Sequence, residues 1–130
     1  MNAMGYNILI VDDSAVTRAV IRRTLLMAQL PLANVFEAAD GAAGLAMLEI
    51  HKVDLVLADL HMPNMGGVEM TSRILASEAT RHIPVVVVSA EPSEEKLQAL
   101  KTQGVRGCIR KPFTPVQIRD VVNEALGVAK

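Results

Sequence analysis

Five side chains able to do chemistry together fall at the exits of apolar runs. Asp12 and Asp13 follow Ile8-Leu9-Ile10-Val11, Asp59 follows Leu55-Val56-Leu57-Ala58, Ser89 follows Val85 to Val88, and Lys111 follows the run ending at Arg110. Each alone has an ordinary explanation, since an acid can cap a helix, a serine can open a turn and a lysine is usually solvated. Together they make three carboxylates, a hydroxyl and an ammonium. Three clustered acids repel one another, and their natural neutraliser is a hard divalent cation taking oxygen ligands, foremost Mg2+, with Mn2+ as a substitute. A carboxylate beside a cation and an ammonium suits phosphoryl transfer: the positive charges offset developing negative charge while the carboxylate attacks phosphorus.

The elements that would position these groups follow from the chain's pattern. Continuous rather than alternating apolar runs are the signature of parallel strands covered on both faces. Strands are expected at Tyr6–Val11, Asn34–Ala39, Val53–Ala58, Ile83–Val88 and Val105–Arg110. Between them lie helices. Ser14 caps the first, which runs to about Met27 with Val16, Ala19, Val20 and Met27 on its apolar stripe. Arg18, Arg22 and Arg23 fall elsewhere, on what reads as a solvated face. Glu37 suits an edge strand. Asp40-Gly41 opens the second helix, to about His51, whose Leu45, Leu48, Ala42, Ala43, Gly44 and Ala46 suggest close packing on a sheet. Pro63 and Gly66-Gly67 shape the loop after Asp59, and a third helix runs from Val68 to about Ser77. Ser93 caps the fourth, with Leu97 and Leu100 inward and Gly104 at its end. Thr114-Pro115-Val116-Gln117 is a capping box with proline at the first helical position, so the last helix spans 115 to about 127. Alternation of five strands and five helices predicts a doubly wound parallel α/β domain, whose ligands bind beyond the carboxyl ends of the strands.

At 130 residues the chain is one domain, with 51% hydrophobic and 21% charged residues and a formal net charge of -1. Nothing in that balance calls for nucleic acid. No apolar run approaches the roughly 18 residues of a membrane span, and no cationic leader precedes the first strand, so a cytoplasmic protein is expected. The single cysteine, Cys108, fits a reducing compartment. Residues 1–5 read as a start or cloning remnant, 6–127 as the domain, and 128–130 as a tail.

Residues 6 to 127 closely resemble the receiver domain of two-component response regulators. The matching pieces, in order, are Ile8 to Ser14, Ala39-Asp40-Gly41, Asp54 to Asp59 with Met62-Pro63 and Gly67, Val86 to Ala90, and Lys111-Pro112-Phe113. The resemblance implies a flavodoxin-like five-stranded sheet of order 2-1-3-4-5 with five helices, an order for which a chemotaxis regulator of this family is the standard example. It implies a phosphoacceptor switch rather than an enzyme, one that takes its phosphoryl group at Asp59 from a phosphohistidine on a histidine kinase or histidine phosphotransfer protein. Self-phosphorylation from small phosphodonors and autodephosphorylation would accompany it. Asp13, Asp59 and the backbone carbonyl of His61 would hold Mg2+, with Asp12 acting through water. Ser89 and Lys111 would meet the phosphoryl oxygens, and the bond before Pro112 would be cis. Arg18 and Arg22 would join the surface docking the kinase partner. The face of helix 4, strand 5 and helix 5 would bind an output protein or effector domain, with no direct nucleic-acid or membrane contact.

Two positions are departures or variable points. Receiver domains usually carry an aromatic residue or histidine three places before the lysine, as part of a switch coupled to the hydroxyl. Here that place is Cys108, expected to be a small packing residue. His61 and Glu91, two after Asp59 and Ser89, are expected to tune phosphoryl lifetime. The alternative function is an aspartate-nucleophile, Mg2+-dependent phosphatase, which would usually show Asp-x-Asp after strand 1 rather than Asp12-Asp13. A flavin mononucleotide carrier is disfavoured by the lack of a Ser/Thr-rich phosphate loop and by having only Tyr6, Phe36 and Phe113 as aromatics. A Walker-type nucleotide enzyme is excluded, since no glycine-rich loop ends in Gly-Lys-Ser/Thr.

Overall fold

A computed structural model describes residues 5–60, 65–90 and 94–127. The elements in chain order are β1 Tyr6–Val11, α1 Ala15–Met27, β2 Leu32–Ala38, α2 Gly41–Ile50, β3 Leu55–Asp59, α3 Gly67–Ala76, β4 Val85–Ser89, α4 Glu94–Gln103, β5 Gly107–Arg110 and α5 Pro115–Leu126. All strand pairs are parallel, in the order β2-β1-β3-β4-β5. The doubly wound sheet anticipated from sequence is therefore present, with Glu37 on an edge strand. Among the described residues, no helix is long and apolar enough to cross a membrane.

Strand residues alternate between two cores, which is why the central runs are apolar without interruption. Ile8, Ile10, Leu55, Leu57, Val86, Val88 and Ile109 pack against Ile21 and Leu25 of α1 and Ile118 and Val122 of α5. Leu9, Val11, Val56, Ala58 and Val85 pack on the other face against Met70 and Ile74 of α3. A third, smaller cluster joins Leu60, Val87 and Leu100.

Helix termini follow their sequence signals. The Ser14 side chain accepts from the Thr17 amide, Asp40 from the Ala43 amide, and Thr114 from the Gln117 amide in a reciprocal capping box. The cap expected at Ser93 lies outside the described residues. Boundaries move by a residue or two at strand starts. β2 begins at Leu32, while Val105 is spent turning out of α4 by bonding the Leu100 carbonyl, so β5 begins only at Gly107.

Three expectations are corrected. The α1 stripe chosen from sequence is the outward one: Val16, Val20 and Met27 are 75%, 54% and 60% exposed. The buried stripe is Ile21, Leu25 and Ala28, spaced i, i+4, i+7, which turns Arg18 and Arg22 toward the sheet edge rather than into open solvent. In α2 Leu45 and Leu48 pack against the core and Gly44 is buried as expected, joined by Gly41, whereas Ala42, Ala43 and Ala46 are exposed. A Cβ on Gly44 would meet Met70 Sδ at 3.0 Å and Val11 Cγ2 at 3.1 Å, so the absence of a side chain is what brings α2 close. Finally, Gly5, assigned to the leading remnant, is buried and sits against the backbone of Pro31 to Ala33, so the fold starts one residue earlier.

Candidate functional site

Parallel pairing brings the strand exits to one rim. Val11 lies opposite Ala58, Asp59 opposite Val88, and Ser89 opposite Arg110. The residues that follow β1 and β5 and the ends of β3 and β4 therefore converge. One carboxylate oxygen from each of Asp12, Asp13 and Asp59 lies within 4.8 Å of the others, with Asp12 buried, Asp13 exposed and Asp59 between those extremes.

Asp12 is the most constrained of the three. It is only 1% exposed, its amide donates to the Ala38 carbonyl at 3.1 Å, and its Oδ1 accepts from the Ser14 amide at 2.9 Å. Its Oδ2 faces Lys111 Nζ at 3.2 Å. That contact gives the buried carboxylate a charged partner, and with both oxygens engaged Asp12 is poorly placed to bind a cation directly. Lys111 is anchored in turn, since its amide donates to the Ser89 carbonyl at 2.9 Å; the peptide bond that follows it, to Pro112, is cis. Ser89 is buried at the end of β4.

The turn after Asp59 depends on glycine. The Gly67 amide donates to the Leu60 carbonyl at 3.2 Å, and the Gly41 amide to the Met65 carbonyl at 2.9 Å, so the start of α2 braces the loop that leads into α3. A Cβ on Gly67 would overlap the Asp59 carbonyl oxygen and stand 3.1 Å from the Asp59 carbonyl carbon. The Asp59 backbone and α3 can be this close only because position 67 has no side chain.

The sequence-predicted groups Asp12, Asp13, Asp59, Ser89 and Lys111 are thus brought to one rim. His61 and Glu91 lie outside the described residues, as do Met62 and Pro63. Cys108 is half-buried on β5, where burial pushes its thiol pKa up and the charge of Lys101 pulls it slightly back. The solvated-face reading of the α1 arginines fails for Arg18 and Arg22. Arg18 Nε donates to Glu37 Oε1 at 3.0 Å and Arg22 Nε to Oε2 at 2.9 Å. Burial pushes the Glu37 carboxyl up, but the hydrogen bonds and charges of Arg22 and Arg18 outweigh it and hold it below the ordinary glutamate range. Arg18 also reaches the rim itself, a contact that sequence reading did not single out. The available signal was two arginines at i, i+4 with an acid on the neighbouring edge strand.

Beside Lys111 opens a groove of about 430 Å3, lined chiefly by Val16, Val20, Ala90, Pro112 and Phe113. The arrangement offers an acidic pocket for a divalent cation, a carboxylate acceptor, a neighbouring ammonium and an apolar approach.

Residues 8–123 match the response regulator receiver domain family. The chemotaxis protein CheY-3 of Vibrio cholerae is 35% identical over 117 residues, covering 90% of this chain and 88% of that protein. Among solved structures, Vibrio cholerae CheY4 superposes with a TM-score of 0.84 at 30% identity, covering 94% of this chain and 99% of the other. The receiver domain of a sensor histidine kinase from Pseudomonas aeruginosa PAO1, solved with magnesium coordinated in its active-site cleft, gives 0.81 at 25% identity over 95% of this chain and 98% of that one.

Proposed function

This chain belongs to the response regulator receiver domain family, and from that premise we propose that it is a phosphoacceptor switch in which Asp59 takes a phosphoryl group from a phosphohistidine on a histidine kinase or histidine phosphotransfer protein. The observation that carries the reading is the meeting of Asp12, Asp13 and Asp59 within 4.8 Å, with Lys111 held against one of them. A carboxylate oxygen of Asp59 attacks phosphorus, a P–O bond forms as the P–N bond to the donor imidazole breaks, and the electron pair returns to the leaving nitrogen. Mg2+, when bound, offsets negative charge on the phosphoryl oxygens. The donor set fits it, being all carboxylate and carbonyl oxygen. Asp13 and Asp59 would hold the ion with the His61 carbonyl, and Asp12, whose oxygens are already engaged, would act through water. Ser89 and Lys111 bind the phosphoryl oxygens.

Residues 5–127 act as the receiver unit. Docking of the phosphodonor is supported by the apolar groove of Val16, Val20 and Phe113 beside Lys111, since Arg18 and Arg22 are occupied by Glu37. Output binding belongs to the face of α4, β5 and α5, where Leu97, Lys101, Cys108, Val121 and Glu124 line a groove of about 280 Å3. Ser89 moving toward the phosphoryl group, with α4 shifting against β5, carries the signal there, and His61 and Glu91 set its lifetime by shaping the approach of water to phosphorus.

Intact mass spectrometry after incubation with acetyl phosphate tests the reading. A one-phosphate adduct should form on the wild type only with Mg2+, and not on Asp59→Asn. An equal adduct on the asparagine variant would place the acceptor elsewhere.

A further inference from the structure

We propose that Arg18 is a positioning residue for the metal-binding acids, acting through the backbone between Asp12 and Asp13; this rests on the Mg2+ reading above. Arg18 Nη1 donates to the Asp12 carbonyl oxygen at 2.6 Å while its Nε bonds Glu37 Oε1 at 3.0 Å. Its side chain is 17% exposed. Glu37 is itself fixed from the other side by Arg22, whose second contact is the Val35 carbonyl at 2.8 Å. A chain of charge-assisted bonds therefore runs from the edge strand β2, through Glu37 and the Arg18 guanidinium, to one particular carbonyl at the rim.

That carbonyl matters because of what shares its plane. The Asp12 C=O and the Asp13 N–H belong to a single rigid peptide unit, so fixing the oxygen fixes the orientation from which Asp13 leaves the backbone. Asp12 needs no such help, since its amide and both carboxylate oxygens are already engaged. Asp13 is exposed, and its direction is set by the peptide before it. Partners behind metal-binding groups typically change metal affinity about 10–100-fold when removed. Acting through one peptide plane, Arg18 belongs at the lower end of that range.

The sign separates this role from simple electrostatics. A guanidinium near the acids repels a cation, so if charge alone mattered, removing it would tighten Mg2+ binding.

The experiment is an Mg2+ titration of the intact chain, followed by the Asp13 amide resonance and paired with thermal melts without Mg2+. Arg18→Met should weaken Mg2+ binding about tenfold. Arg18→Lys, which reaches one acceptor but not both, and Glu37→Gln, which loosens the anchor, should fall between it and the wild type. Arg22→Met, which leaves both Arg18 bonds in place, should stay within about twofold of wild type even where it lowers the melting temperature. Unchanged or tighter binding in Arg18→Met overturns the proposal. So does weakening by Arg22→Met as large as that by Arg18→Met. If Arg18→Met does not fold, wild-type affinity in both Arg18→Lys and Glu37→Gln overturns it equally. A wild type that binds no Mg2+ overturns the metal reading itself, and this proposal with it.

Discussion

Gly66 and Gly67 stand side by side at the start of α3, and substituting each by alanine should separate damage to the fold from damage to the acceptor. At Gly67 the new Cβ would overlap the Asp59 carbonyl oxygen and press on the Asp59 carbonyl carbon at 3.1 Å and Leu60 Cα at 3.2 Å. These are backbone atoms with no rotamer to change, so either α3 or the end of β3 must move. Overpacking of this kind costs about 1–3 kcal/mol. The reduced freedom of the unfolded chain returns about 0.4–1 kcal/mol. Gly67→Ala should therefore lose roughly 1–2 kcal/mol net. At Gly66 the Cβ would meet one atom, the Leu60 carbonyl oxygen at 3.1 Å, and would replace a tolerable N-cap by a poor one. That costs about 1 kcal/mol, from which the same unfolded-chain return of about 0.4–1 kcal/mol leaves a net loss under about 1 kcal/mol, smaller than at Gly67 and by a different route. The difference lies in what moves. Because the Gly67 overlap is with the Asp59 carbonyl itself, the share of relief taken by β3 displaces the Asp59 peptide, and a misplacement approaching 1 Å in a reacting group can cost about 100-fold in rate. Relieving the Gly66 clash leaves Asp59 alone. Phosphorylation by acetyl phosphate with saturating Mg2+, measured below the melting temperature of both variants, should be slowed at least about tenfold in Gly67→Ala and under about threefold in Gly66→Ala. Equal slowing of both, or a wild-type rate in Gly67→Ala, would refute the reasoning.

Two further outcomes follow from named groups. The Glu37 carboxyl is held below its ordinary pKa in the folded protein, so its ion pairs contribute stability that is fully present above the unfolded value, about 4.3, and is lost as pH falls through the lower folded value. Denaturant melts across that acid window should show a steeper loss in the wild type than in Glu37→Gln, and parallel curves would remove the group from the acid response. Thr71 is fully buried in α3 and its Oγ1 has no hydrogen-bond partner among the described residues. Thr71→Val keeps the shape and removes the unsatisfied hydroxyl, so it should raise stability by about 1 kcal/mol, whereas a loss of that size would mean the hydroxyl is paired in solution.

Much of this was legible in the sequence because buried parallel strands announce themselves. Leu55 to Ala58 and Val85 to Val88 are unbroken apolar runs, and an α/β fold sends the next polar residue of each strand to the same rim. Capping is local chemistry, so Ser14, Asp40 and Thr114 could be read directly. Choosing the inward face of α1 was harder, because Val16, Val20 and Met27 are as apolar as Ile21 and Leu25. Only the distance to the sheet tells the two stripes apart. Lys111 and Asp12 are 99 residues apart, and no spacing rule pairs them. Arg18 and Glu37 likewise meet only because β2 lies at the edge beside β1, a fact of strand order that composition does not carry.

The remaining step is how a change at the rim could reach α4, and the smallest core cluster bears on it. Leu60 directly follows Asp59 and packs with Val87 and Leu100, with Cys108 and Val105 closing the group. Among the described side chains of α4, Leu100 is the one that is buried. With Leu100 fully buried and Leu97 only half-buried, the described side chains of α4 give it a small apolar footing, about 1.5–3 kcal/mol for full burial of Leu100, as suits an element that moves. Cys108 lies opposite Val87 on the neighbouring strand, and burial pushes its thiol pKa up, which disfavours the reactive thiolate. It contributes shape to the pocket under α4 rather than a moving ring. The proposed shift of α4 therefore rests on Leu60 and Leu100: the first is tied to Asp59 by one peptide bond, the second belongs to the helix, and each forms part of the other's packing surface.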